Sequence, residues 1–322
     1  VDLCRAMRVC THWHSFLSSS VVVFQKSISN AGTIPNELRA AFYIHVIYDQ
    51  PAWLGRSRRK NKSVVYHGPI PGVYQDFSSH AAEFAKTALL DQSSSNGKDR
   101  NAARMYHDED LATSFKIIEA DLERTRPALL FSRSSDNDII NESFIHGGDF
   151  DKDDMIVTAE EMKESLRRVL RAFAVRSNRV KYCQGMNFVA LALLEAAKGN
   201  EEKAFWVLCG LSEKLSMVGV WSPGLHRLEF AIFALERMLW DHDSRLAQHF
   251  ELCDVRIGMF ASKWFITIFQ CHDTFGKTAA SRIMDIFICE RWPALLRIAL
   301  VVLLELSSQL QLLDLEGILD IM

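Results

Sequence analysis

Two polar side chains, Arg124 and Gln184, stand in short patterns whose residue types suit chemistry at a phosphoryl group. Arg124 ends the pattern I-x-x-D-x-x-R over residues 118–124, and Gln184 lies in the pattern Y-x-Q-G over residues 182–185. An arginine supplies positive charge to the phosphoryl oxygens of a transition state, and a glutamine orients an attacking water. These two residues are therefore the first candidates for a functional site.

The segment that carries Arg124 is predicted to be a helix that ends just beyond it. Ile118 and Leu122 lie on one face at i, i+4 spacing, while Asp121 and Arg124 are neighbours at i, i+3. Pro127 disfavours a helical conformation at the residue before it, which leaves Arg124 near a helix end. Asp121 would hold the arginine side chain ready. The alternative is an ordinary surface ion pair, which is common and weak.

Gln184 follows a polar loop and precedes an apolar helix predicted from Phe188 onward. The glycine directly after it, Gly185, permits close approach of another part of the backbone. The alternative is a glutamine at a helix start that has no role, because short motifs also match by chance. The occurrence of both patterns in this order on one helical chain favours the functional interpretation.

Hydrophobic periodicity predicts that the chain is all-α. Apolar residues recur at helical spacing over residues 160–175, 188–197, 225–239, 260–269, 281–288 and 295–313. Strand signals are confined to two short segments, 21–24 and 63–66. A turn over residues 219–224, which contains proline and glycine, is expected to separate two helical lobes.

The composition is that of an ordinary globular protein with room for one large or two modest domains. The 322 residues are 48% hydrophobic and 24% charged with a net charge of −3, which does not suggest a nucleic-acid partner. Seven cysteines without a C-x-x-C pair favour a reducing, cytoplasmic setting over disulfides or zinc. The longest apolar stretch, residues 294–306, is interrupted by charges and too short for a membrane span, and no signal peptide is expected.

Several segments together resemble the TBC domain, the module that activates Rab GTPases. The patterns around Arg124 and Gln184 are similar to its paired signature motifs. The sequence G-T-I-P-N-E-L-R over residues 32–39 resembles the segment that opens the domain, and residues 260–269 and 282–285 resemble its second lobe. The resemblance thus extends over nearly the whole chain.

The resemblance implies a two-lobed, V-shaped helical fold with three parts. Residues 1–31 would be an N-terminal helical segment, residues 32–220 the lobe with both catalytic residues, and residues 221–322 the C-terminal lobe. Residues 2–17 also resemble the second half of an F-box, which would make the N-terminal segment a partial F-box; the alternative is a plain amphipathic helix that packs on the TBC lobe.

The resemblance also implies a role for each site residue. Arg124 would be an arginine finger and Gln184 a glutamine finger, offered in trans to a Rab-type small GTPase in its GTP-bound form. The supporting residues by family position are Asp121, Tyr182, Arg39 and Gly185. The chain would be a GTPase activator rather than an enzyme by itself, and no cofactor bound by the chain is expected, because GTP and Mg²⁺ belong to the partner.

In the cell, the resemblance implies a role in vesicle trafficking from the cytoplasm. Peripheral association with endomembranes is an accompanying expectation, since the basic residues 56–62 would be attracted weakly to anionic lipid.

Two alternatives stay open at this point. Tyr43 stands where the family expects tryptophan, and Lys181 where it often has glycine. These departures leave room for a catalytically silent TBC scaffold that binds a Rab without accelerating hydrolysis. The F-box resemblance leaves room for a ubiquitin-ligase adaptor that recruits a Skp-type protein and uses the TBC domain for recognition.

An acidic segment raises a separate metal hypothesis. Residues 149–160 overlay the twelve-residue calcium loop of EF-hands, and the candidate ligands are Asp149, Asp151, Asp153 and Glu160. The sixth position, where the sharp turn requires glycine, is Asp154. The alternative is an acidic loop followed by a helix-capping box.

Overall fold

The computed structural model describes residues 34, 36–48, 69–91, 102–125, 159–271 and 276–322. Every regular element in these ranges is a helix, which confirms the all-α prediction. Several predictions concern residues outside the described ranges: the short strands, the partial F-box, the basic residues 56–62, and the calcium-ligand candidates Asp149, Asp151 and Asp153.

The helices of the described ranges alternate with short turns. They are α1 (Asn36–Tyr48), α2 (Val73–Asp91), α3 (Ala102–Arg124), α4 (Ala159–Arg176), α5 (Met186–Ala196), α6 (Glu201–Glu213), α7 (Val218–Trp221), α8 (His226–His242), α9 (Ser244–Leu252), α10 (Gly258–Thr267), α11 (Lys277–Glu290), α12 (Trp292–Leu310) and α13 (Leu315–Ile321). All six helices predicted from periodicity are present, and their ends differ from the prediction by at most four residues.

Helix α4 is the centre of the first group of helices, because it packs against α2, α3, α5 and α6. Its fully buried face includes Leu166, Val169, Leu170 and Phe173, at the spacing that places residues on one side of a helix. Acidic residues in its first turn and Arg176 in its last complement the helix dipole. Helix α6 joins this group and also covers α1.

The second group of helices forms around α8, which packs against α9, α10 and α12. Among the described residues, its contacts with the first group include α10 against α5, α11 against both α12 and α1, and α7 against both α6 and α8. The predicted turn over 219–224 is partly helical, because α7 ends at Trp221; the turn follows at Gly224, with φ of 96°. A lobe boundary between residues 220 and 221 stays a prediction.

The apolar stretch near the end of the sequence lies in a helix that is as long as the one predicted over residues 295–313 and begins three residues earlier. Helix α12 has 19 residues, and by length and hydropathy it could cross a membrane. It packs against α8, α10 and α11 and buries Leu295, Ala299, Leu303 and Leu310. A core helix of a folded domain passes the same criteria, so they are weak support for a membrane span.

Candidate functional site

Arg124 is the last residue of α3, and its side chain is 65% exposed. Its Nη2 atom donates a hydrogen bond to Oδ1 of Asp121 at 2.5 Å, as the i, i+3 spacing predicts. The Asp121 side chain is only 4% exposed. A buried carboxylate therefore binds the guanidinium of an arginine whose side chain remains largely in solvent.

Salt bridges hold the C-terminal half of α3 against α4. Glu119 accepts hydrogen bonds from Nε of Arg167 at 3.0 Å and from Nη2 of Arg171 at 2.9 Å. One turn later, Glu123 pairs with Lys163 at 2.8 Å. These contacts fix the direction of α3 over its last two turns, and so the place from which Arg124 projects.

Tyr182 connects the loop before α5 to the same carboxylate. Its hydroxyl donates a hydrogen bond to Oδ2 of Asp121 at 2.6 Å. Burial raises the pKa of Tyr182 well above its usual value, and the hydrogen bond to Asp121 raises it further. The phenol is therefore a permanent donor at physiological pH, and Asp121 receives Arg124 on one oxygen and Tyr182 on the other.

Gln184 lies exposed in the tight turn between Tyr182 and α5. The turn is closed by the amide of Met186, which donates to the carbonyl of Cys183 at 3.0 Å. Gly185 is buried and left-handed, with φ of 99°. A Cβ atom at this position would lie 3.1 Å from a methyl of Ile266 on α10. The close approach expected of Gly185 is thus to a helix of the second group.

Two buried polar residues beside this turn were not among the residues predicted from sequence. Asn187 is 2% exposed and Thr125 is 5% exposed, and the Nδ2 atom of Asn187 donates to Oγ1 of Thr125 at 2.7 Å. A signal was present, since Asn187 is the one amide in the otherwise almost wholly apolar α5 and a buried polar side chain is expected to have a partner.

Arg39, another of the predicted supporting residues, binds a buried carboxylate on α11. Its Nε and Nη2 atoms donate to the two oxygens of Asp285 at 2.9 and 3.1 Å, and Tyr43 donates to Oδ1 of Asp285 at 2.5 Å. Burial raises the pKa of the Asp285 carboxyl, while the hydrogen bonds from Arg39 and Tyr43 oppose that rise. These bonds join α1 to α11, so a direct role of Arg39 in orienting the fingers stays a prediction.

The same contacts explain the tyrosine at position 43. Its hydroxyl completes the coordination of the Asp285 carboxylate, and its ring is 1% exposed. The tyrosine therefore keeps an aromatic ring in the core and donates a hydrogen bond from α1 to α11.

The metal hypothesis gains no support from the part of the chain that the structure describes. Glu160 is exposed in the first turn of α4, and no cluster of three or more His, Cys, Asp or Glu residues that could hold a metal occurs among the described residues. Calcium binding by residues 149–160 stays a prediction.

Comparison with known proteins defines the class to which this fold belongs. The crystal structure of the Chlamydomonas flagellar RabGAP TBC domain superposes with a TM-score of 0.61 at 20% sequence identity, over 99% of this chain and 87% of that one. The fold is therefore the all-α fold of TBC domains.

The sequence places the chain within that class. The profile of the RabGAP-TBC family, described as the Rab-GTPase-TBC domain, matches residues 149–313, and the chain belongs to this family. The match includes Gln184, whereas Arg124 precedes its first residue.

Curated relatives share only part of their length with this chain. The Rab GTPase-activating protein eat-17 of Caenorhabditis elegans is 32% identical over 205 residues, or 63% of this chain and 20% of the relative. The human ecotropic viral integration site 5 protein homolog is 33% identical over 158 residues, or 49% of this chain and 19% of the relative. The chain thus spans about a fifth of the length of these relatives.

Proposed function

We propose that this chain is a GTPase-activating protein for a Rab-type small GTPase, to which it supplies Arg124 and Gln184 in trans. One observation carries the proposal. Asp121 binds the guanidinium of Arg124 through one oxygen and the hydroxyl of Tyr182, two residues before Gln184, through the other. The two candidate side chains are exposed, while Asp121 is buried and Tyr182 is partly buried. Exposed side chains on anchored supports suit residues that enter the active site of another protein.

Arg124 is suited to stabilise charge in the transition state. Phosphoryl transfer spreads negative charge over the phosphoryl oxygens, and an arginine supplied in trans to a GTPase contributes about 10³- to 10⁵-fold in rate. Asp121 lowers the entropic cost of presenting the guanidinium, because it restricts a long side chain before the partner arrives. Arg124 then moves its free nitrogens toward the bridge between the β- and γ-phosphates.

Gln184 is suited to orient the lytic water. Its amide offers both a donor and an acceptor, and the rigid turn that carries it restricts where that amide can reach. Docking of the two proteins excludes bulk water from the site, which strengthens both interactions. GTP and Mg²⁺ belong to the partner, and this chain contributes side chains only.

Membership in the family supports a class of partner and a general cellular role, without identifying a particular Rab. The name of the worm relative states activation of a Rab GTPase for that protein, and membership in the same family supports a Rab-type partner here. We propose that the GTP-bound form is recognised, that the consequence is control of vesicle traffic, and that the protein acts in the cytoplasm with peripheral association with endomembranes.

The test is single-turnover GTP hydrolysis by a panel of purified Rab proteins, with and without this chain. We expect strong acceleration of one or a few Rabs, and a loss of at least about 100-fold in Arg124→Ala and Gln184→Ala. Arg124→Lys should stay impaired, since lysine keeps the charge but lacks the planar fork of donors. Arg245→Ala and Gln248→Ala, two exposed residues of α9, are the matched controls and should retain the acceleration.

Each contrary result would contradict a different part of this proposal. A folded wild-type chain that binds GTP-loaded Rabs and accelerates none would replace the catalytic proposal with the silent scaffold. A chain that binds no Rab but co-purifies with a Skp-type protein would favour the adaptor. Acceleration that survives in Arg124→Ala would remove the arginine from its proposed role.

A further inference from the structure

A buried hydrogen-bond chain crosses from the end of α3 to the start of α5. Nδ2 of Asn187 donates to Oγ1 of Thr125 at 2.7 Å, and this hydroxyl donates to the backbone carbonyl of Asp121 at 2.7 Å. The amide of Thr125 donates to the same carbonyl at 2.9 Å. These bonds thus tie Thr125, which closes the last turn of α3, to a side chain of another helix.

The two residues that this series of hydrogen bonds joins lie beside the two candidate fingers. Thr125 directly follows Arg124, and Asn187 lies three residues after Gln184 in the first turn of α5. A second connection runs in parallel, because Tyr182 donates to the side chain of Asp121. Segments far apart in sequence are therefore joined by two hydrogen-bonded links, one through backbone and one through carboxylate.

Burial makes the hydrogen bond between Asn187 and Thr125 costly to break. Both Asn187 and Thr125 are at most 5% exposed, so water cannot replace a bond that is lost. Hydrogen bonds inside a protein are stronger and costlier to leave unmade than those at the surface. The distance between the two segments therefore varies less than it would if the two residues were exposed to water.

We infer that Asn187 and Thr125 are positioning residues that couple the two fingers, so that a GTPase meets Arg124 and Gln184 at a fixed mutual distance. The inference rests on the proposed function for its consequence in catalysis. Neither residue touches the nucleotide; each acts through the backbone that carries a finger. A displacement of about 1 Å in a catalytic group can cost 10²-fold in rate, so loss of the link should lower the maximal rate rather than partner affinity.

The experiment compares variants of the hydroxyl at position 125. Thr125→Val keeps the shape and removes the link, and we expect the maximal single-turnover rate to fall about 10- to 100-fold while the Kd for the GTP-loaded Rab changes less than about 2-fold. Thr125→Ser keeps the hydroxyl and should recover most of the rate. The matched control is Ser114→Ala, which removes a buried hydroxyl bonded to the carbonyl of Asp110 on the same helix; it should leave the rate unchanged.

A double-mutant cycle with Asn187→Ala tests the bond itself. If the two residues act through one contact, Thr125→Val adds little to the loss already caused by Asn187→Ala. Additive losses would overturn the inference, as would a Thr125→Val variant with the wild-type maximal rate or a Thr125→Ser variant as impaired as Thr125→Val. A fall in rate matched by weaker Rab binding would assign the residues to the interface instead.

A second readout does not depend on activity. In the free protein, Thr125→Val should raise hydrogen exchange about 5- to 20-fold at the amide of Met186, which closes the turn that carries Gln184. Ser114→Ala should leave that amide unchanged. If wild type accelerates no Rab, the proposed function fails while the exchange result still decides the coupling: an unchanged Met186 amide overturns it.

Discussion

The turn that carries Gln184 depends on a glycine that both bends the backbone and makes room for a neighbouring helix. At Gly185, φ is 99°, a region that side chains disfavour. A Cβ there would lie 3.1 Å from Cγ2 of Ile266 and 3.2 Å from Cγ2 of Thr267. Gly185→Ala therefore introduces two separate costs, one in the backbone and one in packing.

The magnitude follows from these two costs. A left-handed backbone costs an alanine about 1–2 kcal/mol, and a methyl forced against two neighbours adds about 1–3 kcal/mol. The smaller entropy of the unfolded alanine chain returns about 0.4–1 kcal/mol. We expect Gly185→Ala to lower the free energy of unfolding by about 2–4 kcal/mol, and the displaced turn to lower Rab activation at least about 10-fold.

Gly72 supplies a control within the same chain. Its φ is 85°, and a Cβ at this position would meet no atom within 4 Å. Gly72→Ala therefore has the backbone cost alone, and its loss should be about 0.5–1 kcal/mol. Urea unfolding followed by tryptophan fluorescence measures both variants, since the buried Trp264 belongs to α10 and the buried Trp221 donates a hydrogen bond to Ile266 in the same helix.

The test of this prediction is the difference between the two variants in the free energy of unfolding that each loses. Equal losses of stability in Gly185→Ala and Gly72→Ala would refute the packing argument, because the turn would then move away from Ile266 without cost. A large loss of stability in Gly185→Ala with full Rab activation would refute the claim that the turn positions Gln184.

Three further predictions follow. Arg39→Ala should lower the free energy of unfolding by about 3–5 kcal/mol in urea titrations, because it leaves the Asp285 carboxylate buried without its cation. Lys163→Ala should cost less than about 1 kcal/mol in the same assay, since Glu123 is 71% exposed and the pair is solvated; a similar loss in both would contradict the distinction. Burial raises the pKa of Cys183 to about 11, so at pH 8 its alkylation by iodoacetamide should be about 100-fold slower than that of an ordinary thiol. Labelling followed by peptide mass mapping measures it, and a fast reaction would show that the turn opens.

Local signals in the sequence were sufficient for the six helices predicted from periodicity and for the contact between Asp121 and Arg124. The buried face of α4 could be read from its spacing, because its apolar residues belong to one helix and recur at the helical period. The pair of Asp121 and Arg124 could be read in the same way, since i, i+3 neighbours meet on any helix. Helix ends were less well determined, as with α12, because termini depend on what packs against them.

Partners far apart in sequence could not be read in this way. Nothing in the sequence around Arg39 indicates that its carboxylate is Asp285, 246 residues later, or that Tyr43 completes that contact. The bond between Asn187 and Thr125 has the same character, although a lone amide in an apolar helix indicated that some partner was needed.

The sequence by itself determined that the chain is helical, which residue types could act on a phosphoryl group, and the family it resembles, because periodicity and motifs are properties of neighbouring residues. Only the tertiary structure decided that Asp121 accepts hydrogen bonds from both Arg124 and Tyr182, and that the missing side chain of Gly185 leaves room for α10. The reason is physical: a buried polar group must be satisfied by whatever the packing of helices brings to it, and that packing is a property of the whole fold.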